Sequence, residues 1–219
     1  MTYATTAPLG RRGLLSLAAT SAFAAAMPWQ RASAATDEAA AIAPIQQLDA
    51  ALLAAMKAGR STPFAQRYAS LAPVIEQTFD LDAVLAASIG LGWSALPEDQ
   101  KAQLQATFRR YTIASYAASF DNYTGQTFQI ASAPRGVSNN EVVVETKIIA
   151  ADGTSNKLDY VMRNGPSGWR AVDVLADGAI SRVAVQRSDF RSLLRNGGVP
   201  ALSVALRHKV ANLSGGMLA

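Results

Sequence analysis

Between residues 141 and 195 the spacing of apolar positions changes period. Segments 141–150, 156–164 and 168–176 alternate apolar and polar residues, as half-buried strands do, and 180–194 shifts to spacings of three and four, as helices do. The strand segments are separated by short turn-forming stretches, so they read as an antiparallel meander. A three-residue loop, Asp152-Gly153-Thr154, sets Ile148 against Leu158, Thr146 against Tyr160 and Val144 against Met162, whereas a two-residue Asp-Gly turn would scatter these side chains over both faces. In the next hairpin, opposing Arg163 to Trp169 would also oppose Asp159 to Asp173. Like charges so placed are destabilising, so a register shifted by one is expected. One face then holds Val142, Val144, Ile148, Leu158, Tyr160, Met162, Trp169, Ala171 and Leu175, while Glu145, Lys147, Lys157, Asp159, Arg163 and Arg170 make a wet face. Asp173 is the one acid this register puts on the apolar side.

Upstream the pattern is helical. Ile42, Ile45, Leu48, Leu52 and Met56 mark a first amphipathic helix over 37–57 that Gly59 ends. A second starts at Thr62-Pro63, carries Phe64, Tyr68, Leu71 and Ile75 inward, and is bent at Pro73; Asp80 caps a third that runs to Ala87. The longest opens at Pro97-Glu98-Asp99, with its acids at the positive end of the helix dipole. Leu104, Phe108, Tyr111, Ser115 and Ala118 form its main stripe, and Ile113, Tyr116 and Phe120 lie on adjoining faces, which predicts burial on more than one side. Residues 127–133 read as an edge strand stopped by Pro134 and Gly136. The order predicts an α+β domain: N-terminal helices cover one face of a twisted antiparallel sheet, C-terminal helices follow, and an apolar cavity lies between.

Composition changes this picture at the N-terminus. Arg11-Arg12, the mild Ala-rich run 13–27 and the small residues Ala32-Ser33-Ala34 read as an export signal over residues 1–34, leaving one domain over 35–219. The arginine pair is compatible with the twin-arginine route, although the full consensus is absent. The run stops at Pro28, short of the roughly 20 apolar residues a bilayer span needs, and no later segment reads as a span. With no cysteine in the chain, neither disulfides nor thiol chemistry can contribute. The formal charge of +4 includes Arg11, Arg12 and Arg31, so the 35–219 part is near neutral, with 17 basic residues against 16 acidic ones. Residues 180–209 nevertheless carry Arg182, Arg187, Arg191, Arg195, Arg207 and Lys209 against Asp189 alone. Such a face is either simply solvated or suited to anionic lipid or an acidic partner. Nucleic acid is a poor fit, since the patch has no interleaved aromatics.

Candidate chemistry is thin. The single histidine, His208, sits between Arg207 and Lys209 on a terminal amphipathic segment, and no Gly-rich phosphate loop opens a helix after a strand. An unpaired Asp173 on an apolar face would cost several kcal/mol, so a partner is expected, with Arg187 as the candidate at the rim of the cavity.

The segments 157–163 (KLDYVMR), 168–174 (GWRAVDV), Gly178-Ala179-Ile180-Ser181 and Gln186-Arg187-Ser188-Asp189-Phe190 resemble the C-terminal signature of the MlaC-type, or toluene-tolerance, lipid carriers of the periplasm. That signature is a Trp followed by an Asp-containing strand, a Gly-x-Ser turn, then Tyr-Arg with a Phe four residues after the Tyr. Gln186 stands where Tyr is common, and Ala179-Ile180 lengthens the Gly-to-Ser interval. In both respects 180–190 is more similar to the hopanoid-associated HpnM branch.

The resemblance implies a lipid carrier without a cofactor, exchanging a phospholipid or hopanoid with inner-membrane transporter and outer-membrane lipoprotein complexes, with transient membrane contact. On that reading Val142, Val144, Ile148, Leu158, Tyr160, Met162, Trp169 and Leu175 of the sheet, with Phe108, Tyr111 and Tyr116 of the long helix, line the cavity. Asp173, Arg187, Arg191 and Arg195 then lie at its rim or face a partner. Two other readings stay open: an enzyme acting on a steroid-like substrate through Asp173 and Tyr160 as acid and base, and a cargo-free adaptor between membrane complexes.

Overall fold

In the computed structural model, which describes residues 37–138 and 140–218, four helices precede the sheet and one follows it. The export-signal reading of residues 1–34 lies outside the described residues. Helix α1 (Ile42–Ala58) ends where Gly59 takes a positive φ, and α2 (Phe64–Thr78) contains Pro73. Thr62 does not cap α2; its hydroxyl donates back to the Ala58 carbonyl. Helix α3 (Leu81–Ile89) is capped as expected, with the Asp80 carboxylate accepting from the Ala83 N–H at 3.0 Å, and a short 3-10 turn (Gly90–Ala95) leads to α4 (Glu98–Ser119). Residues Asp37–Ala58 are long and apolar enough to cross a membrane, which the pattern alone did not suggest. In this fold Ile45, Leu48, Leu52 and Met56 instead belong to the buried core.

The sheet has strands β1 (Thr127–Ile130), β2 (Arg135–Ser138), β3 (Glu141–Val144), β4 (Thr146–Ile149), β5 (Ser155–Gly165), β6 (Gly168–Ala176) and β7 (Ile180–Ser181), all paired antiparallel. β3 and β4 follow one another along the same side of β5; β1 pairs with β4 and β2 with β3. Residues 135–138, read from sequence as the end of a strand, thus form a second edge segment. The β4–β5 loop has three residues, but they are 151–153, with Gly153 at φ +85° and the Ala150 N–H bonded to Thr154 O at 2.8 Å. Pairing therefore moves by two: Val144 faces Tyr160, Val142 faces Met162 and Ile148 faces Asn156 instead of Leu158. An even slip leaves every side chain on its expected face.

The β5–β6 hairpin takes the one-residue shift, with Asn164 opposite Trp169 and Met162 opposite Ala171. An extra residue at Val172 then bulges β6, so Asp173 faces Val161, Val174 faces Tyr160 and Leu175 faces Asp159. The bulge removes Leu175 and Asp173 from the face shared by Tyr160 and Met162. Beside it, the free edge of β6 is occupied by the α2–α3 junction: Phe79 bridges to Ala171, and the Asp80 N–H bonds to Ala171 O at 3.0 Å. Asp159, expected in water, is buried and accepts from the Thr146 N–H at 3.2 Å.

Helix α5 (Arg182–Leu213) is broken at Gly198, where φ is +63°. Its first arm returns across the helical layer, placing Phe190 edge-on against Phe108 of α4 at 6.3 Å. Val142, Val144, Tyr160 and Met162 belong to one hydrophobic cluster with α1, α3, α4 and α5.

Candidate functional site

The apolar sheet face is where a cavity was expected, and the helices fill it. Val142, Val144, Tyr160 and Met162 are each no more than 1% exposed. An aromatic series runs across them from Phe128 through Phe120 and Tyr116 to Phe79 and Tyr160, with ring centroids 5.6–6.3 Å apart. Four clefts lined by described residues lie elsewhere and do not touch these four sheet residues. Apolar walls a few ångströms apart gain dispersion and lose hydrated surface by closing on each other, so space for an acyl tail requires the helices to part from the sheet.

Of the other expected lining residues, Leu158 is partly buried against the same cluster, and Trp169 is buried with its indole N–H donating to Asp37 O at 2.9 Å. Tyr116 points to the sheet, whereas Phe108 and Tyr111 turn towards α5, Phe108 against Phe190 and Tyr111 beneath the Lys209 ammonium. Ile148 sits at the far end, between Phe128 and Asn156, and Leu175 is on the opposite face.

The expected Asp173–Arg187 pair does not form. Asp173 accepts from the Val183 N–H at 3.0 Å, from its neighbour Val174 at 2.7 Å and from the Ser181 hydroxyl, so it satisfies the free donors at the positive N-terminus of α5. Arg187 donates through Nε and Nη2 to the Ala87 carbonyl at 2.9 and 2.6 Å, occupying an unpaired acceptor at the C-terminal end of α3. With Asp173 opposite Val161 and off the Tyr160 face, the acid–base pairing that an enzyme would need is not assembled.

Arg187, Arg191 and Arg195 do converge, at an open cleft of about 520 Å³ that is also lined by Ile89, Gly90, Leu91, Gly92 and Leu194. Gly90 takes φ +77°, which ends α3 and swings the 3-10 turn outward. A Cβ there would be strained whatever the space around it. Leu91 is consequently 100% exposed beside three arginines. Sequence reading passed over this residue; its only signal was a leucine between two glycines at a helix end.

The profile of the MlaC protein family matches residues 46–208. The chain belongs to the MlaC family. A solved structure of similar fold is the phospholipid-binding protein from Ralstonia solanacearum in complex with a phospholipid, at a TM-score of 0.68 and 22% identity. The match covers 81% of this chain and 99% of that one.

Within this MlaC chain the inward-facing acid is Asp49, on α1. It is 6% exposed, and neither carboxylate oxygen has a hydrogen-bond partner among the described residues. Burial pushes its pKa from 3.8 up to about 7. Its charge reaches Tyr116 and Tyr160, whose phenols burial has already raised. The signal was present, since Asp49 lies four residues after Ile45 and three before Leu52 on the apolar stripe.

Proposed function

We propose that this protein is an exported periplasmic carrier that takes up a phospholipid between its helical layer and the apolar face of its sheet. It would move that lipid between membrane complexes without chemistry. The observation that carries the reading is the sheet face itself: Val142, Val144, Tyr160 and Met162 lie side by side under helices that no salt bridge among the described residues fastens to them. Membership of the MlaC family and the phospholipid held by the Ralstonia solanacearum protein of similar fold support the same conclusion. Exposing about 30 tail methylenes to water costs roughly 24 kcal/mol, at about 0.8 kcal/mol for each CH₂, so unassisted transfer is slow. Walls of Val and Met lower that barrier and, lacking strong hydrogen bonds, release what they take; Met162 adapts to varied tails.

The cleft at Leu91 supports a docking role. Exposed leucine beside Arg187, Arg191 and Arg195 suits the boundary of an anionic membrane or an acidic face of a transporter or lipoprotein complex. Extraction of the purified protein with organic solvent, followed by mass analysis, tests the reading. A phospholipid at near one per chain is the expected result, a hopanoid would place the chain in the HpnM branch, and protein that neither contains nor accepts lipid would leave only the cargo-free adaptor.

A further inference from the structure

Asp49 is costly where it stands. Both its oxygens are shut away from water and from every donor among the described residues, beside Ile45, Leu48 and Leu52 on the buried face of α1. Polar groups in such positions normally have partners, and their absence in the closed protein calls for an explanation. Nearby charges do not supply one. On α2, which packs against α1, Arg67 is committed to Ala117 O and Thr62 O and Glu76 is paired with Arg109, while β1 has no titratable side chain. The charge of Asp49 is felt by two phenols from α4 and β5, Tyr116 and Tyr160, which hydrogen-bond to each other, and Tyr116 also feels Arg182 at the start of α5.

We propose that Asp49, with the Tyr116 and Tyr160 hydroxyls, is an interior hydrogen-bonding site for the ester carbonyls of a diacyl lipid. This deepens the carrier reading and rests on it. A carboxyl in an apolar interior favours its acid form, which presents an O–H; the two phenols hydrogen-bond to each other, so together they present one more. Two such donors, with Arg182, the cation whose charge reaches Tyr116, left exposed at the start of α5, match a group that only accepts and carries no charge. An ester carbonyl is such a group, and it sits in a diacyl lipid where the tails join the head, so tails against Val144 and Met162 would bring it level with the helices. A phosphate is a poor occupant, because an anion beside Asp49 would meet a potential carboxylate, while Arg182 is exposed at the start of α5; the arginines of the surface cleft suit it better.

The test compares two lipids with the same head group and tail length, diester phosphatidylglycerol and its diether analogue, which lacks only the carbonyls. The delipidated full chain is loaded from mixed vesicles and the bound lipid is read by native mass spectrometry. The diester is expected to be favoured by about tenfold, the worth of one or two buried hydrogen bonds. Asp49→Asn, which keeps a donor of the same shape, should keep most of that preference, and Asp49→Leu should cut it several-fold while still loading lipid. Equal loading of diester and diether by the unmodified protein overturns this site and leaves the carrier intact. So does an undiminished preference in Asp49→Leu. Loading of neither lipid overturns the carrier reading and this site with it.

Discussion

The pH dependence of stability isolates Asp49 from the rest of the chain. Its folded pKa of about 7 lies above the ordinary 3.8, so between those values the folded protein binds more protons than the unfolded one. Stability contributed by the acid form is thus fully present below about pH 3.8 and is lost progressively as pH rises towards 7 and beyond. At about 1.4 kcal/mol for each pH unit, the interval from 3.8 to about 7 amounts to about 4 kcal/mol, a large part of the 5–15 kcal/mol of a typical domain. Asp49→Asn cannot ionise and keeps the shape, so subtracting its stability from that of the unmodified protein cancels the other carboxylates. Urea unfolding at a series of pH values should show this difference falling by about 4 kcal/mol between about pH 4 and pH 8, most steeply between about 4.5 and 7. A difference that stays level over that range would mean Asp49 is hydrated or paired in solution, and the argument from its burial would fail.

Other expectations are simpler to check. Asp173→Asn removes the anionic cap of α5 and should cost about 1 kcal/mol in urea unfolding; combined with Arg187→Ala the losses should add to within about 0.5 kcal/mol, since the two residues serve different helix ends. Met162→Ala opens space in a fully buried position and should cost about 2–5 kcal/mol, whereas Leu91→Ser should change stability by less than about 0.5 kcal/mol. The same Leu91→Ser change, or Arg191→Glu with Arg195→Glu, should slow lipid transfer between anionic vesicles while leaving lipid binding in solution unchanged; unaltered transfer would remove the docking role. Gly153→Val forces a branched side chain into φ +85° at the β4–β5 turn and should lower the thermal midpoint by several degrees, as measured by circular dichroism.

Much of the fold follows from the order of residues alone, because periodicity and turn chemistry act over a few positions. The strand segment 168–176, the Asp80 cap, the stop at Gly59 and the two-sided burial of α4 are all such local consequences. Even the avoidance of an Asp159–Asp173 clash was legible, as a penalty between two known side chains. What tertiary structure decided depends on partners far away in the chain. The bulge at Val172 lies next to the edge of β6 that Phe79 and Asp80 occupy, and it carries Asp173 and Leu175 off the face that strict alternation assigns them. Arg187 finds the end of α3 one hundred residues upstream instead of the nearer acid. Whether the apolar face stands open or packed is likewise settled by how five helices close over it, a sum of many small contacts that no local pattern contains. Asp49 lies between the two cases: its place on the stripe was written in the sequence, and only the fold withheld every donor from it.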